Sequence, residues 1–152
     1  MYIIDGNNVA GKLKMLGQEH FDRKLVDLVQ RWNLKKRVKA TVVFDGGEWM
    51  GDKRAIDQYT TVVYTPRDSF YRDDDDKIVE IIRQGYLSPG EAILLVTEDN
   101  ELKKRVQKEA EAANQPVEII NSSDFVQKLE FAIEDDEDDG LSAEEMDDIT
   151  RD

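Results

Sequence analysis

Apolar positions along the chain follow two periods that take turns. Residues 2–4, 40–44, 59–64, 92–96 and 117–120 form short β-branched or aromatic runs. Each is closed by Asp, Asn, Thr or Pro, the pattern of a buried strand stopping at a turn. Between them apolar residues recur at helical spacing: Phe21, Leu25, Leu28, Val29 and Trp32, then Ile78, Val79, Ile81 and Ile82. Leu102, Val106 and Ala110 continue the series, and Phe125, Val126, Leu129, Ala132 and Ile133 end it. Such stripes are the inner faces of amphipathic helices. Strands alternating with helices imply right-handed crossovers, so the expected fold is α/β, a five-stranded, mostly parallel sheet with helices on both faces. Residues 9–19, with Gly11 and Gly17, read as a loop or a short irregular helix, and residues 46–54, with three glycines, as a mobile loop. From Glu134 the periodicity fades into acids, so the expected organisation is one domain over 1–133 and a disordered or loosely helical acidic tail over 134–152.

Three strands end on acids or lead straight into one. Asp5 follows Tyr2, Ile3 and Ile4; Asp45 follows Phe44; Asp99 lies just past Thr97. In an open parallel sheet ligands bind outside the carboxyl ends of the strands, where these side chains would gather. A fourth group, Asp73 to Asp76, opens the helix that carries Ile78. Asp75 stands three, four and seven residues before Ile78, Val79 and Ile82, so it shares their inward face, while Asp73 and Asp74 are expected toward solvent. Each acid also has an ordinary explanation. Asp5 could cap its own turn, Asp99 could be an N-cap, and acids suit any first helical turn. An acid on a buried face is different, because it costs free energy unless paired or bound to a metal.

Composition narrows the chemistry. At 152 residues the chain has the length of one domain, and it has no cysteine, which fits a reducing compartment and leaves oxygen as the ligand type for any metal. His20 is the only histidine and reads as a surface or capping residue. The longest wholly apolar run is five residues, against the ~20 a membrane helix needs. With no signal peptide discernible either, the expectation is a soluble cytoplasmic protein without a membrane partner. The net charge of −13 is unevenly spread: residues 134–152 hold eleven acids and one arginine, leaving the first 133 residues at only −3. The body is therefore compatible with a polyanionic partner, which the sum alone would argue against.

Carboxylates around one crevice repel by roughly 3 kcal/mol per pair at ~5 Å and an effective dielectric near 20, so the cluster calls for a cation. Oxygen-only ligands favour Mg²⁺ or Mn²⁺, ions that catalyse phosphodiester hydrolysis by activating water and stabilising charge on the phosphate. Asn8 and Thr97 are neutral oxygen donors beside the central acids. Lys12, Lys53, Arg54, Arg67 and Arg72 lie in segments leaving the same sheet edge, with Trp49 in the glycine-rich stretch as a stacking surface. Bases interleaved with an aromatic suit a single-stranded nucleic acid.

Asp5-Gly6-Asn7-Asn8, Val43-Phe44-Asp45, Asp75-Asp76 before Ile78, and Thr97-Glu98-Asp99 together resemble the NYN branch of the PIN-like nucleases, in particular the YacP-like bacterial ribonuclease group. The resemblance covers about residues 2 to 132. It implies a single PIN-like domain and metal-dependent RNA cleavage, with Asp5, Asp75 and Asp99 as metal ligands and Asn8, Asp45 and Asp76 as supporting residues. The expected activity is endonucleolytic hydrolysis of single-stranded RNA, free or ribosome-associated, with Mg²⁺ or Mn²⁺. Two rivals stand beside it. A non-catalytic RNA- or ribosome-binding module would gain nothing from carboxylates that repel phosphate. A receiver-like phosphoacceptor at Asp45 would want a lysine after the last strand, and residues 117–124 contain none.

Overall fold

The structure, a computed structural model, describes residues 1–46, 52–66, 71–87 and 90–142. The chain runs β1 (Tyr2–Asp5), α1 (Gly6–Lys12), α2 (Phe21–Lys36), β2 (Ala40–Asp45), β3 (Asp52–Ala55), β4 (Thr60–Thr65), α3 (Asp74–Gly85), β5 (Ile93–Val96), α4 (Asn100–Ala113), β6 (Val117–Ile120) and α5 (Ser122–Ser142). One sheet has the order β3-β4-β2-β1-β5-β6. All neighbours are parallel except β3, which runs antiparallel along β4.

The five expected strands are present, and the sheet has a sixth. β3 lies within the stretch read as a loop, where Lys53 pairs with Val63 and Arg54 with Val62. Its polar sequence hides it: an edge strand is held by its neighbour's backbone and gains from charged side chains that discourage further pairing. α1 takes the short-helix alternative for the segment from residue 9, and differs in starting earlier, at Gly6. Asp5 caps it, Val9 and Ala10 are buried under it, and Gly6 lets it start hard against β2, where an added Cβ would come within 2.6 Å of the Phe44 ring. At the other end, α5 continues past Ile133 to Ser142, and residues 143–152 of the expected tail lie outside the described residues.

Alternation along the strands sorts the core into two layers. Ile4, Val42 and Phe44 face α1, α2 and α5, where Trp32 packs edge-on against Tyr2 and Phe125 at centroid distances of 5.1 and 5.0 Å. Ile3, Val43 and Leu95 face α3 and α4, against Ile78, Val79, Ile82, Leu102 and Val106. Asp5 and Asp45 follow Ile3 and Val43 at a spacing of two, so both point to the α3 side.

The strand order also fixes where a crevice can form. From β1 the chain passes through α1 and α2 to β2 and β4 on one side, then returns through α3 to β5 on the other. The carboxyl ends of β1 and β5 are therefore the topological switch point, and the first turn of α3 arrives beside it.

Candidate functional site

Asp5 ends β1 and begins α1, and it is only 4% exposed. Two neighbours fix its carboxylate. Thr97 Oγ1 donates to Oδ2 at 2.9 Å, and the Asn8 backbone N–H approaches Oδ1 at 3.5 Å. The Thr97 hydroxyl in turn accepts from the Asp99 N–H at 3.1 Å, so the ends of β1 and β5 are tied through one oxygen. Two amide side chains extend this framework. Asn7 Oδ1 accepts from Asp45 N–H at 3.0 Å, joining β1 to β2, while Asn8 Oδ1 accepts from Glu98 N–H at 2.9 Å and from Ser122 Oγ. The two asparagines after Asp5-Gly6 thus hold the site to its flanks.

Against this frame α3 presents its four aspartates, and they divide. Asp73 is the N-cap, accepting from the Asp75 and Asp76 N–H groups through Oδ1. Asp74 and Asp75 turn inward: with Asp5, each offers an oxygen within 4.8 Å of the others. Asp74 was expected toward solvent, yet it stands four residues before Ile78 and shares its face as surely as Asp75 shares that of Val79. Asp76 turns away to a pair of guanidiniums, Arg105 Nη1 at 2.7 Å and Arg72 Nη2 at 3.3 Å.

The electrostatics record the same division. Burial pushes Asp5 up to about 6. Burial and the adjacent Asp5 charge push Asp74 up to about 7. Asp75 is raised to about 7 by burial and by Asp74 and Asp99. The Arg72 and Arg105 contacts hold Asp76 well below the usual carboxylate range. The three raised carboxyls destabilise one another when ionised. Oxygen donors this close fit a hard divalent cation, whose charge would relieve their repulsion.

The other expected residues fall around this centre. Asp99 is the N-cap of α4, its Oδ1 accepting from Glu101 and Leu102 N–H groups at 3.0 and 3.2 Å, and it lies near enough to raise Asp75. Asp45, half-buried at the end of β2, adds to the field that raises Asp74. Lys12 reaches Glu98 at 2.7 Å, and Glu98 also accepts from Ser123, so this base is fastened across the ends of α1 and β5. Lys53 and Arg54 are exposed on β3. Trp49 and Arg67 lie outside the described residues. His20 is the N-cap of α2, away from the acids. Asp74, Asn7, Ser122 and Arg105 were not singled out in the sequence. The signal for Asp74 was there, in its spacing to Ile78; Arg105 is one of several bases on α4, and nothing in the pattern marks it.

A parallel α/β sheet that gathers acids over its switch point between β1 and β5 has the architecture of the PIN-like, nuclease-type fold. The chain belongs to the YacP-like NYN domain family, whose model matches residues 2–148. Among solved structures it is similar to the crystal structure of Rae1 (YacP) from Bacillus subtilis, W164L mutant. That match has a TM-score of 0.68 at 17% identity, over 98% of this chain and 86% of the other. A search of curated proteins returns no match. Among the described residues no helix is long and apolar enough to cross a membrane.

Proposed function

We propose that the protein is a Mg²⁺- or Mn²⁺-dependent endoribonuclease that hydrolyses phosphodiester bonds in single-stranded RNA. The observation that carries this reading is the convergence of Asp5, Asp74 and Asp75 within 4.8 Å at the switch point of a nuclease-type sheet. These three would hold the ion, with Asp99 and Asp45 as supporting charges. The ion would polarise the phosphate and activate water for in-line attack.

The chain's own groups have defined tasks in this scheme. Thr97 fixes the plane of the Asp5 carboxylate, and Asn8 with Ser122 keeps the β5 end from moving away from it. No histidine or cysteine serves the site, so a proton leaving water would fall to a carboxylate that does not hold the ion, Asp99 or Asp45. Arg72, just before α3, and Lys53 and Arg54, exposed along the edge strand β3, supply phosphate contacts. Trp49 and Arg67 belong to the same grip by sequence position.

The test is a Mn²⁺ soak of crystals read by anomalous scattering, paired with cleavage of a single-stranded RNA in Mn²⁺, Mg²⁺ and chelator. The expected result is a peak among Asp5, Asp74 and Asp75, with cleavage in either metal and none in chelator. RNA binding without turnover in either metal would replace the enzyme with a binding module on the same fold.

A further inference from the structure

Asp76 is the one member of the aspartate run that neither caps the helix nor enters the cluster. Its side chain is 11% exposed and takes two guanidiniums, Arg105 from α4 and Arg72 from the residues just before α3. One carboxylate balances one of the two, so the pair retains a positive charge. Arginine carries five N–H donors in a fixed fork, and bonding to Asp76 uses only some of them. Arg72 and Arg105, together with Lys104, line an open pocket of about 680 Å³ between the starts of α3 and α4. Asp75 lines it as well, which makes the pocket continuous with the acid cluster; Asp73 and Glu101 complete its acidic side.

We infer that this pocket seats the backbone phosphate next to the scissile one, with Arg105 and Arg72 as its donors and Asp76 as the positioning residue that aims them. The inference rests on the ribonuclease reading and deepens it. A chain whose scissile phosphate sits at Asp5, Asp74 and Asp75 must place a neighbouring phosphate one nucleotide away, and the pocket opening from Asp75 meets Arg105, which gives Asp76 a single N–H and keeps donors for an oxyanion, beside Arg72, whose Nε and Nη2 engage Asp76. Asp76 then has a purpose that its place in the aspartate run does not suggest. It is spent on holding cations beside a site that otherwise repels phosphate.

The experiment uses the full chain in Ca²⁺ and a fluorescein-labelled ten-nucleotide oligouridylate, with binding followed by anisotropy across a salt series. Cleavage in Mg²⁺ gives KM and kcat separately. R105A is expected to weaken binding about tenfold. It should also shallow the salt slope by about 0.7, one phosphate contact on a single strand. KM should rise while kcat is largely kept, and R105K should recover only part of the loss because it keeps the charge without the fork. D76N should weaken binding in the same direction, and it should cost less in an R105A background than in wild type, since only Arg72 is then left for Asp76 to aim. The melting shift produced by Mn²⁺ should be the same in D76N as in wild type. Unchanged affinity and salt slope in R105A would overturn the seat while leaving the nuclease reading intact. A D76N protein that loses its Mn²⁺ shift would overturn the positioning role and make Asp76 a ligand. Failure of the wild type to bind the strand at all would remove the ribonuclease reading and the seat with it.

Discussion

Asp75 and Asp76 are chemically identical neighbours on the first turn of α3, and they end in opposite states. Asp75 is turned toward Asp5 and Asp74, where burial and like charges make ionisation costly; Asp76 is turned toward Arg72 and Arg105, which favour it. A rotation of about 100° per residue separates them. The comparison shows how one acidic run can supply a helix cap, two ligand candidates and an anchor for cations. Placing four aspartates in a row is not redundancy when each points somewhere else.

The strongest way to break this comparison is Asp75→Asn. If the inward side is the metal site, cleavage should fall at least ~100-fold, more than loss of a residue that merely supports ligands. The Mn²⁺-induced melting shift should shrink with it, because binding to the native state is what stabilises. Cleavage within a fewfold of wild type would detach Asp75 from the chemistry.

A second prediction sets the two residues against each other through pH. Asp5, Asp74 and Asp75 have folded-state affinities for protons raised to about 6, 7 and 7. Their contribution to stability is therefore complete below ~4, the unfolded value, and is lost as pH rises through 6 to 7. The metal-free protein should melt lower at pH 8 than at pH 5, and Asp75→Asn should both raise the melting temperature at pH 8 and flatten the profile. Asp76 has the other sign. Its stabilisation is present above ~4 and lost only as pH falls below the usual carboxylate range, so Asp76→Asn should lower the melting temperature at pH 8 and leave the slope from 5 to 8 alone. Shifts of the same sign in the two variants would dissolve the distinction. In cleavage, protons compete with the cation, so activity should climb between pH 5.5 and 8.

Much of this was legible in the sequence, for identifiable reasons. Buried parallel strands must be apolar on both faces, which is why residues 2–4, 40–44 and 92–96 stood out. The end of each strand is where polarity returns, so Asp5, Asp45 and the Thr97 turn came with them. β3 was invisible because its sequence is polar, and Lys53 and Arg54 bury no stripe of their own. α1 was obscured by Gly6, Asn7 and Asn8, poor helix formers that serve the site's hydrogen bonds instead. The face of Asp74 depends on where α3 begins. The spacing of Asp74 to Ile78 implies an inward face only if the helix includes Asp74, and which of four equal aspartates makes the cap hydrogen bonds is not written in the run. Arg105 reaches Asp76 from 29 residues away, a tertiary pairing that no local pattern encodes.

Losing grip on the strand should cost less than losing the chemistry. Lys53→Ala with Arg54→Ala removes two exposed cations from an edge strand whose backbone pairing with β4 does not need them. RNA binding should weaken severalfold, with a salt slope shallower by up to about 1.4, two contacts on a single strand. The melting temperature should hardly move, in contrast to either aspartate variant. An unchanged salt slope would place the strand away from this edge.

The smallest effect is expected from the C-terminal acids. Residues 134–152 carry a net charge of −10, tethered to a body of −3 whose bases are proposed to hold RNA. A tethered polyanion competes with a polyanionic substrate at an effective concentration set by its reach. The core-facing residues of α5 are Phe125, Val126, Leu129 and Ala132, so ending the chain at Ile133 spares them. The shortened protein should cleave two- to threefold faster at low salt, on the order of what weak intramolecular competition yields. The gain should vanish as salt shortens the Debye length to a few ångströms, because the competition is between exposed charges. Cleavage rates of the full and shortened chains, compared across a salt series, check this. Equal rates at every salt concentration would leave these acids no part in governing the site.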